Sequence, residues 1–319
     1  MSLHVLAPGL LTTVQDRGRE GWRHLGVARA GALDPFAAAL ANRLVGNPED
    51  AAVLEITLLG PTLQWAQPLR IALCGAPWPM RFEAASGADC TLPTGRPLAL
   101  PAGTLRLGAA REGARAWLAV AGGLDVPVVL GSRSTDLRGG FGGLDGRPLR
   151  RGDVLGLLAP PDIACTAPRH PAWWVDPLAG APRTAPLRYV PTSHPAAARL
   201  AGQDWRVQAS SDRQGLRLAG AALPGASGSA ISEAVAPGTI QLPPDGQPIV
   251  LLADAQTVGG YPRLGHVIAA DLPRLAQLRP GDALRLSPCD AATARALACA
   301  ARVRMARIGL AVASRLASA

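Results

Sequence analysis

Gly238-Thr239-Ile240-Gln241-Leu242-Pro243-Pro244-Asp245-Gly246-Gln247-Pro248 leads, after two residues, into Leu251-Leu252-Ala253-Asp254-Ala255-Gln256-Thr257-Val258-Gly259-Gly260-Tyr261-Pro262. Short apolar runs broken by proline and glycine predict strands joined by tight turns rather than helix. Asp254, Gln256, Thr257 and Tyr261 crowd hydrogen-bonding groups beside those strands. Paired glycines let a backbone bend sharply or approach a ligand closely. The stretch therefore predicts β structure that carries a binding surface.

The same texture extends outward. Leu54 to Leu59, Leu69 to Cys74, Thr104 to Leu107, Trp117 to Val120 and Val154 to Leu158 are short apolar runs bounded by Gly or Pro. With 36 glycines and 30 prolines in 319 residues, the chain reads as mainly β with a few short helices. Its length suits two domains, each able to bury a core. One helix is announced by Asp34-Pro35, an N-cap followed by proline, and ends near Gly46. Asp271-Leu272-Pro273 caps a second, short one, and Pro280-Gly281-Asp282 turns into a last strand. The expected division is a β domain over 1–165, a Pro/Ala-rich linker over 166–195, a second β domain over 196–290 and a basic, Ala-rich helix over 291–319.

The net charge is +9, and all 32 basic residues are arginine. Without lysine there is no Schiff base, no Walker-type phosphate loop and no biotin attachment site. Any phosphate or carboxylate must be met by arginine, backbone N–H groups, a metal or another subunit. The arginines are dispersed and aromatics make up 4%, which argues against nucleic-acid binding. Five separated cysteines with no Cys-x-x-Cys pair, no export signal and no apolar run of membrane length point to a cytoplasmic protein with reduced thiols. His24 and His266 stand alone, so no metal site is expected.

Several polar groups invite a chemical reading. Asp16 with Arg19, and Asp212 with Arg213, set carboxylates beside guanidinium groups near glycines. Arginine grips carboxylates and phosphates through two parallel hydrogen bonds, but the same pairs can simply pin turns. Glu55 and Glu233 sit in apolar strand contexts, where partial burial raises a carboxyl pKa toward acid–base use. Arg133, Ser134 and Thr135 precede a glycine-rich run, Gly139 to Gly146, readable as a mobile anion-holding loop or as a long ordered turn. Asp16-Arg17-Gly18 and Glu55 before Gly60 are echoed by Asp212-Arg213-Gln214-Gly215 and Glu233 before Gly238, consistent with an internal duplication.

Taken in order, these blocks resemble the allophanate hydrolase subunit 2-like, or biotin-dependent carboxyltransferase, family, which includes the C subunits of 5-oxoprolinases. The resemblance spans about Leu3 to Leu286. It rests on Thr13-Val14-Gln15-Asp16, Gly18-Arg19, Gly31-Ala32-Leu33-Asp34, Leu54-Glu55, Gly131 to Thr135, Ser211-Asp212-Arg213 and Ser232-Glu233, with departures at Ala30 and Ala255. It implies duplicated cyclophilin-like β-barrels. It also implies partners, a KipI-like B subunit and a LamB/YcsF-like A subunit of 5-oxoprolinase, which together with this chain open 5-oxo-L-proline to L-glutamate using ATP, with Mg2+. The alternatives implied are the carboxyltransferase part of a urea carboxylase, with biotin carried on another chain, and a non-catalytic regulator that binds the KipI-like protein.

On that reading Asp16, Arg19, Asp34, Arg133, Ser134, Thr135, Asp212 and Arg213 are expected to bind substrate or anion. Glu55, Glu233 or Asp254 would position water or accept a proton, and Gln241, Gln256 and Tyr261 would orient the substrate amide.

Overall fold

The computed structural model describes residues 1–159, 162–175, 185–224 and 231–318, so part of the expected linker lies outside the described residues. The architecture is mainly β with few helices, in line with the strand texture of the sequence. The chain divides into two compact units. One comprises Met1–Gly18, Asp34–Ala179 and Met305–Ala319, and the other Arg19–Leu33 and Gly180–Arg304. These units cut across the contiguous spans expected from the sequence. Arg19–Leu33 joins the later unit because its backbone is claimed there: the Ala30 N–H donates to Ala253 O at 3.0 Å.

In the first unit the strands form two antiparallel sheets, one of seven strands and one of five. The five-stranded sheet runs Leu11–Gln15, Val53–Thr57, Arg115–Val120, Leu69–Gly75, Leu98–Leu100. Alternation sends Leu54, Ile56, Leu73 and Leu118 to one face, where they join Leu3, Val5, Leu63 and Leu105 of the larger sheet in a single core. Trp65 and Phe82 stack in this core with ring centroids 5.5 Å apart. Helix α1 (Pro35–Val45) covers the opposite face, packing on the strands Leu69–Gly75 and Arg115–Val120. Asp34 starts α1 as expected, accepting the N–H groups of Phe36 and Ala37, both at 3.0 Å, and Gly46 ends it in the left-handed conformation.

In the second unit seven strands close a barrel: Leu187–Pro191, Arg263–Val267, Thr239–Gln241, Ile249–Leu251, Gly215–Ala219, Asp204–Val207, Ala283–Pro288. The first and last pair in parallel, which removes the exposed edges an open sheet would leave. The buried aromatic side chains of the barrel satisfy their polar tips: Tyr189 Oη donates to Ala197 O at 2.7 Å and Trp205 Nε1 to Leu200 O at 2.9 Å.

Asp271 departs from its expected role. Helix α2 (Leu272–Leu275) has no side-chain cap, because the Asp271 carboxylate accepts from the Arg188 guanidinium at 2.7 and 2.9 Å. The terminal helix α3 (Ala291–Ala317) begins where Asp290 accepts the Thr293 N–H at 2.7 Å. Among the described residues no helix is long and apolar enough to cross a membrane.

Candidate functional site

The barrel wall made of Gly215–Ala219, Ile249–Leu251 and Thr239–Gln241 has two distinct faces. Strand register pairs Leu216 with Val250 and Val250 with Ile240, all three buried as core. The alternate row, Arg217 to Ile249 to Gln241, must point the other way. On this outer face opens a cleft of about 260 Å³, whose lining includes Arg217, Gln241, Gln256, Tyr261, Asp212 and Asp245. The stretch from Gly238 to Pro262 therefore does build a cavity, and Gln241, Gln256 and Tyr261 meet there.

Gln241 is 1% exposed, and its Oε1 accepts from Gln256 Nε2 at 3.3 Å. That bond fixes which way the amide faces. Gln241 Nε2 is left buried with no hydrogen-bond partner among the described residues. A buried donor without a partner costs free energy on the order of 1–3 kcal/mol, a cost that a ligand oxygen reaching it would remove. Gly259 makes room for it: a Cβ there would lie 2.4 Å from Gln241 Nε2.

The charged residues expected to act are arranged otherwise. Arg213 does not pair with its neighbour Asp212. Its Nε and Nη2 donate to the two carboxylate oxygens of Asp254, at 2.8 and 2.9 Å, and Nη2 also donates to Gly31 O at 2.7 Å. Arg213 and Asp254 are 3% and 2% exposed and absent from the cleft lining. The pair neutralises itself inside the protein and ties the Gly31 segment to the barrel. Asp212 lines the cleft, and its Oδ1 accepts the N–H groups of Gln214 and Gly215 at 2.8 and 3.2 Å.

Glu233 is exposed, not half-buried, and forms an ion pair with Arg263. Among the described residues the two-residue strand Glu233–Ala234 pairs with Val258–Gly259 in a separate two-stranded sheet outside the barrel. Arg19 is 1% exposed, and its backbone N–H donates to Arg29 O at 2.7 Å.

In the first unit Asp16 collects the loop beyond Gly131. It accepts from Ser132 Oγ (2.6 Å), Ser134 Oγ (2.5 Å), the Arg133 N–H (2.5 Å) and the Gly18 N–H (2.8 Å). Thr135 Oγ1 donates to Val14 O at 3.0 Å, and Arg133 Nε to Val126 O at 3.1 Å. The hydroxyls of Ser134 and Thr135 are fully buried. Of its two readings this segment takes the ordered turn, with the hydroxyls of Ser132, Ser134 and Thr135 engaged by protein acceptors.

Glu55 lies under α1. Register aligns Thr13, Glu55, Trp117 and Cys74 in one row on the face opposite the core. Glu55, 1% exposed, accepts from Trp117 Nε1 at 3.0 Å, with Arg115 Nε 3.9 Å away. Burial pushes the Asp34 carboxyl up to about 6; its two backbone hydrogen bonds oppose the rise, and the charge of Glu55 adds to it. Two buried carboxyl groups thus share the region at the start of α1. No cluster of three or more His, Cys, Asp or Glu able to hold a metal occurs among the described residues.

The family model for the carboxyltransferase domain, subdomains A and B, matches residues 25–288. The chain belongs to that family. It is 39% identical to the C subunit of Escherichia coli K12 5-oxoprolinase over 291 residues, covering 90% of this chain and 91% of that one. Its fold is similar to Kluyveromyces lactis urea carboxylase, with a TM-score of 0.85 at 30% identity over 95% of this chain but 29% of that one. It is also similar to the solved protein TTHA0988, with a TM-score of 0.78 at 40% identity, spanning 90% of this chain and about half (56%) of that one.

Within this carboxyltransferase-family chain, sequence reasoning passed over Arg217, Gln208, Gln214 and Gln247 of the cleft lining. A signal for Arg217 was present. Gly215-Leu216-Arg217-Leu218 alternates strictly, so a strand with Leu216 and Leu218 inward puts Arg217 outward. The glutamines carried none, because a loop amide reads the same whether it faces solvent or a cavity.

Proposed function

We propose that this chain is the C subunit of an ATP-dependent 5-oxoprolinase, acting with the A and B subunits in the cytoplasm to open 5-oxo-L-proline to L-glutamate. The observation that carries this reading is the two-way match to a 5-oxoprolinase C subunit, 90% of one chain against 91% of the other. The urea carboxylase likeness accounts for only 29% of its partner in the comparison. The cleft supports the same reading, since its amide and phenol groups both donate and accept hydrogen bonds, as recognition of a cyclic amide requires.

Ring opening forms a bond from a water oxygen to the lactam carbonyl carbon and breaks the carbon–nitrogen bond, the proton passing to the departing nitrogen. In this chain Gln241 Nε2 would hold the carbonyl oxygen, while Gln256 and Tyr261 would orient the ring. Two of the arginines expected to bind an anion already donate to protein acceptors. Arg213 donates to Asp254 and Gly31, and Arg133 to Val126. We assign ATP and Mg2+ to the partner subunits for that reason.

The test is co-purification of the chain with its partners, followed by 5-oxoproline-dependent release of ADP and glutamate. A correctly assembled complex with no such turnover overturns the reading. The urea carboxylase likeness favours a second one, carboxyl transfer from biotin to an amide. The lysine-free chain then requires biotin on another protein, and transfer of carboxyl from carboxybiotin to urea by the complex would favour it.

A further inference from the structure

The geometry points to Arg217 as the anchor for the carboxylate of a small cyclic amide acid held in the barrel-wall cleft, with Gln241 Nε2 donating to the amide carbonyl oxygen. The inference rests on the proposed function and adds a specificity residue to it.

Arg217 and Gln241 occupy the same outward row, with Ile249 between them on the intervening strand. Two strand spacings place their backbones roughly 10 Å apart. A long guanidinium arm on one strand and a glutamine amide two strands away leave room for a five-membered ring with its two polar ends. The cleft of about 260 Å³ is at the small end for ligand pockets, suited to such a molecule and tight for a nucleotide.

Among the described residues Arg217 is the one cationic side chain lining the cleft, and its guanidinium makes no ion pair or hydrogen bond with them. Asp212 and Asp245 also line it, and a free carboxylate there would be repelled without a nearby cation. Both are already turned toward backbone donors: Asp212 Oδ1 to Gln214 and Gly215, Asp245 Oδ1 to the Gln247 N–H at 3.0 Å. Arg217 and the unpartnered Gln241 donor thus match a carbonyl and a carboxylate on one ligand.

The experiment compares the assembled complex carrying wild-type chain with one carrying Arg217→Gln. It measures KM for 5-oxoproline and the inhibition constant of 2-pyrrolidinone, which is the same ring without the carboxylate. Arg217 is exposed, so the variant keeps the fold. KM should rise about 10- to 100-fold, the range for losing a charge-assisted hydrogen bond. The inhibition constant of 2-pyrrolidinone should stay unchanged. An unchanged KM, or both constants moving together, overturns the assignment while the proposed function stands. If the wild-type complex shows no turnover, the proposed function fails first. Calorimetric titration of the full chain then decides the cleft: preference for 5-oxoproline over 2-pyrrolidinone, lost in Arg217→Gln, supports it, and equal or absent binding of the two sinks it.

Discussion

Arg213 and Asp254 face each other inside the second unit as a two-pronged ion pair, Nε to Oδ2 at 2.8 Å and Nη2 to Oδ1 at 2.9 Å. Both are almost wholly buried, and Arg213 also reaches Gly31 O. Removing either partner strands a buried charge. Asp254→Ala and Arg213→Ala should each lower stability by about 3–5 kcal/mol. Replacing both with apolar side chains of similar volume should restore most of that loss, apart from the Gly31 contact. Urea unfolding of the two singles and the double reads this directly, and a harmless single substitution would falsify the structural role.

Asp34 gives a pH signature. Its folded carboxyl titrates near 6, above the ordinary 3.8, so between those values the folded state holds more protons than the unfolded one. Stability from this group is complete below about pH 4 and falls as pH rises through 6, by at most about 3 kcal/mol. Asp34→Asn keeps an N-capping oxygen but cannot titrate. Against wild type, unfolding free energies of Asp34→Asn from pH 4 to 8 should show the loss of this downward slope. Identical slopes would contradict the burial described for the group.

Asp16 holds the turn over Ser132 to Ser134 through three donors and accepts a fourth hydrogen bond from the Gly18 N–H. Asp16→Ala leaves them to compete for solvent and should cost about 2–4 kcal/mol. The glycine-rich run behind it is sterically required at one point in particular. Gly146 has φ +66°, and an added Cβ would fall 2.0 Å from Gly140 C and 2.2 Å from Phe141 N, both backbone atoms. Gly146→Ala should therefore destabilise by about 2 kcal/mol or more, where a mobile loop would tolerate it. Thermal unfolding of the two variants separates an ordered turn from a flexible one.

Glu55 accepts the Trp117 indole N–H beneath α1. Glu55→Gln keeps an acceptor for the indole but removes the charge facing buried Arg115 and should cost about 1–3 kcal/mol, whereas Glu55→Leu also orphans the indole and should lose about 3–5 kcal/mol. Assaying both variants in the assembled enzyme adds a second readout. Full turnover by a folded Glu55→Gln would exclude acid–base work by this side chain and leave it a purely structural acceptor.

Local patterns carried the elements well. Asp34-Pro35 opening α1 and Gly46 closing it, and Pro280-Gly281-Asp282 before the strand Ala283–Pro288, encode backbone geometry within one turn of chain. The echo between Asp16 and Asp212 also has a structural counterpart, since each carboxylate accepts the N–H two residues on, at Gly18 and Gln214. The echo between Glu55 and Glu233 does not extend to environment, one being buried beneath a helix and the other exposed beside Arg263.

By itself the amino-acid sequence determined the strand-rich character, both ends of α1 and the exclusion of lysine chemistry. Those properties depend on side-chain type, alternation and turn chemistry, which neighbouring residues settle among themselves. Tertiary structure alone decided which polar group meets which: Arg213 bypasses Asp212 for Asp254, 41 residues away, and the Asp16 carboxylate accepts from Ser134, 118 residues away. It also decided that Arg217 shares a face with Gln241. Charges attract over distances set by the folded chain and not by sequence separation, so their partners exist only once the sheets have assembled.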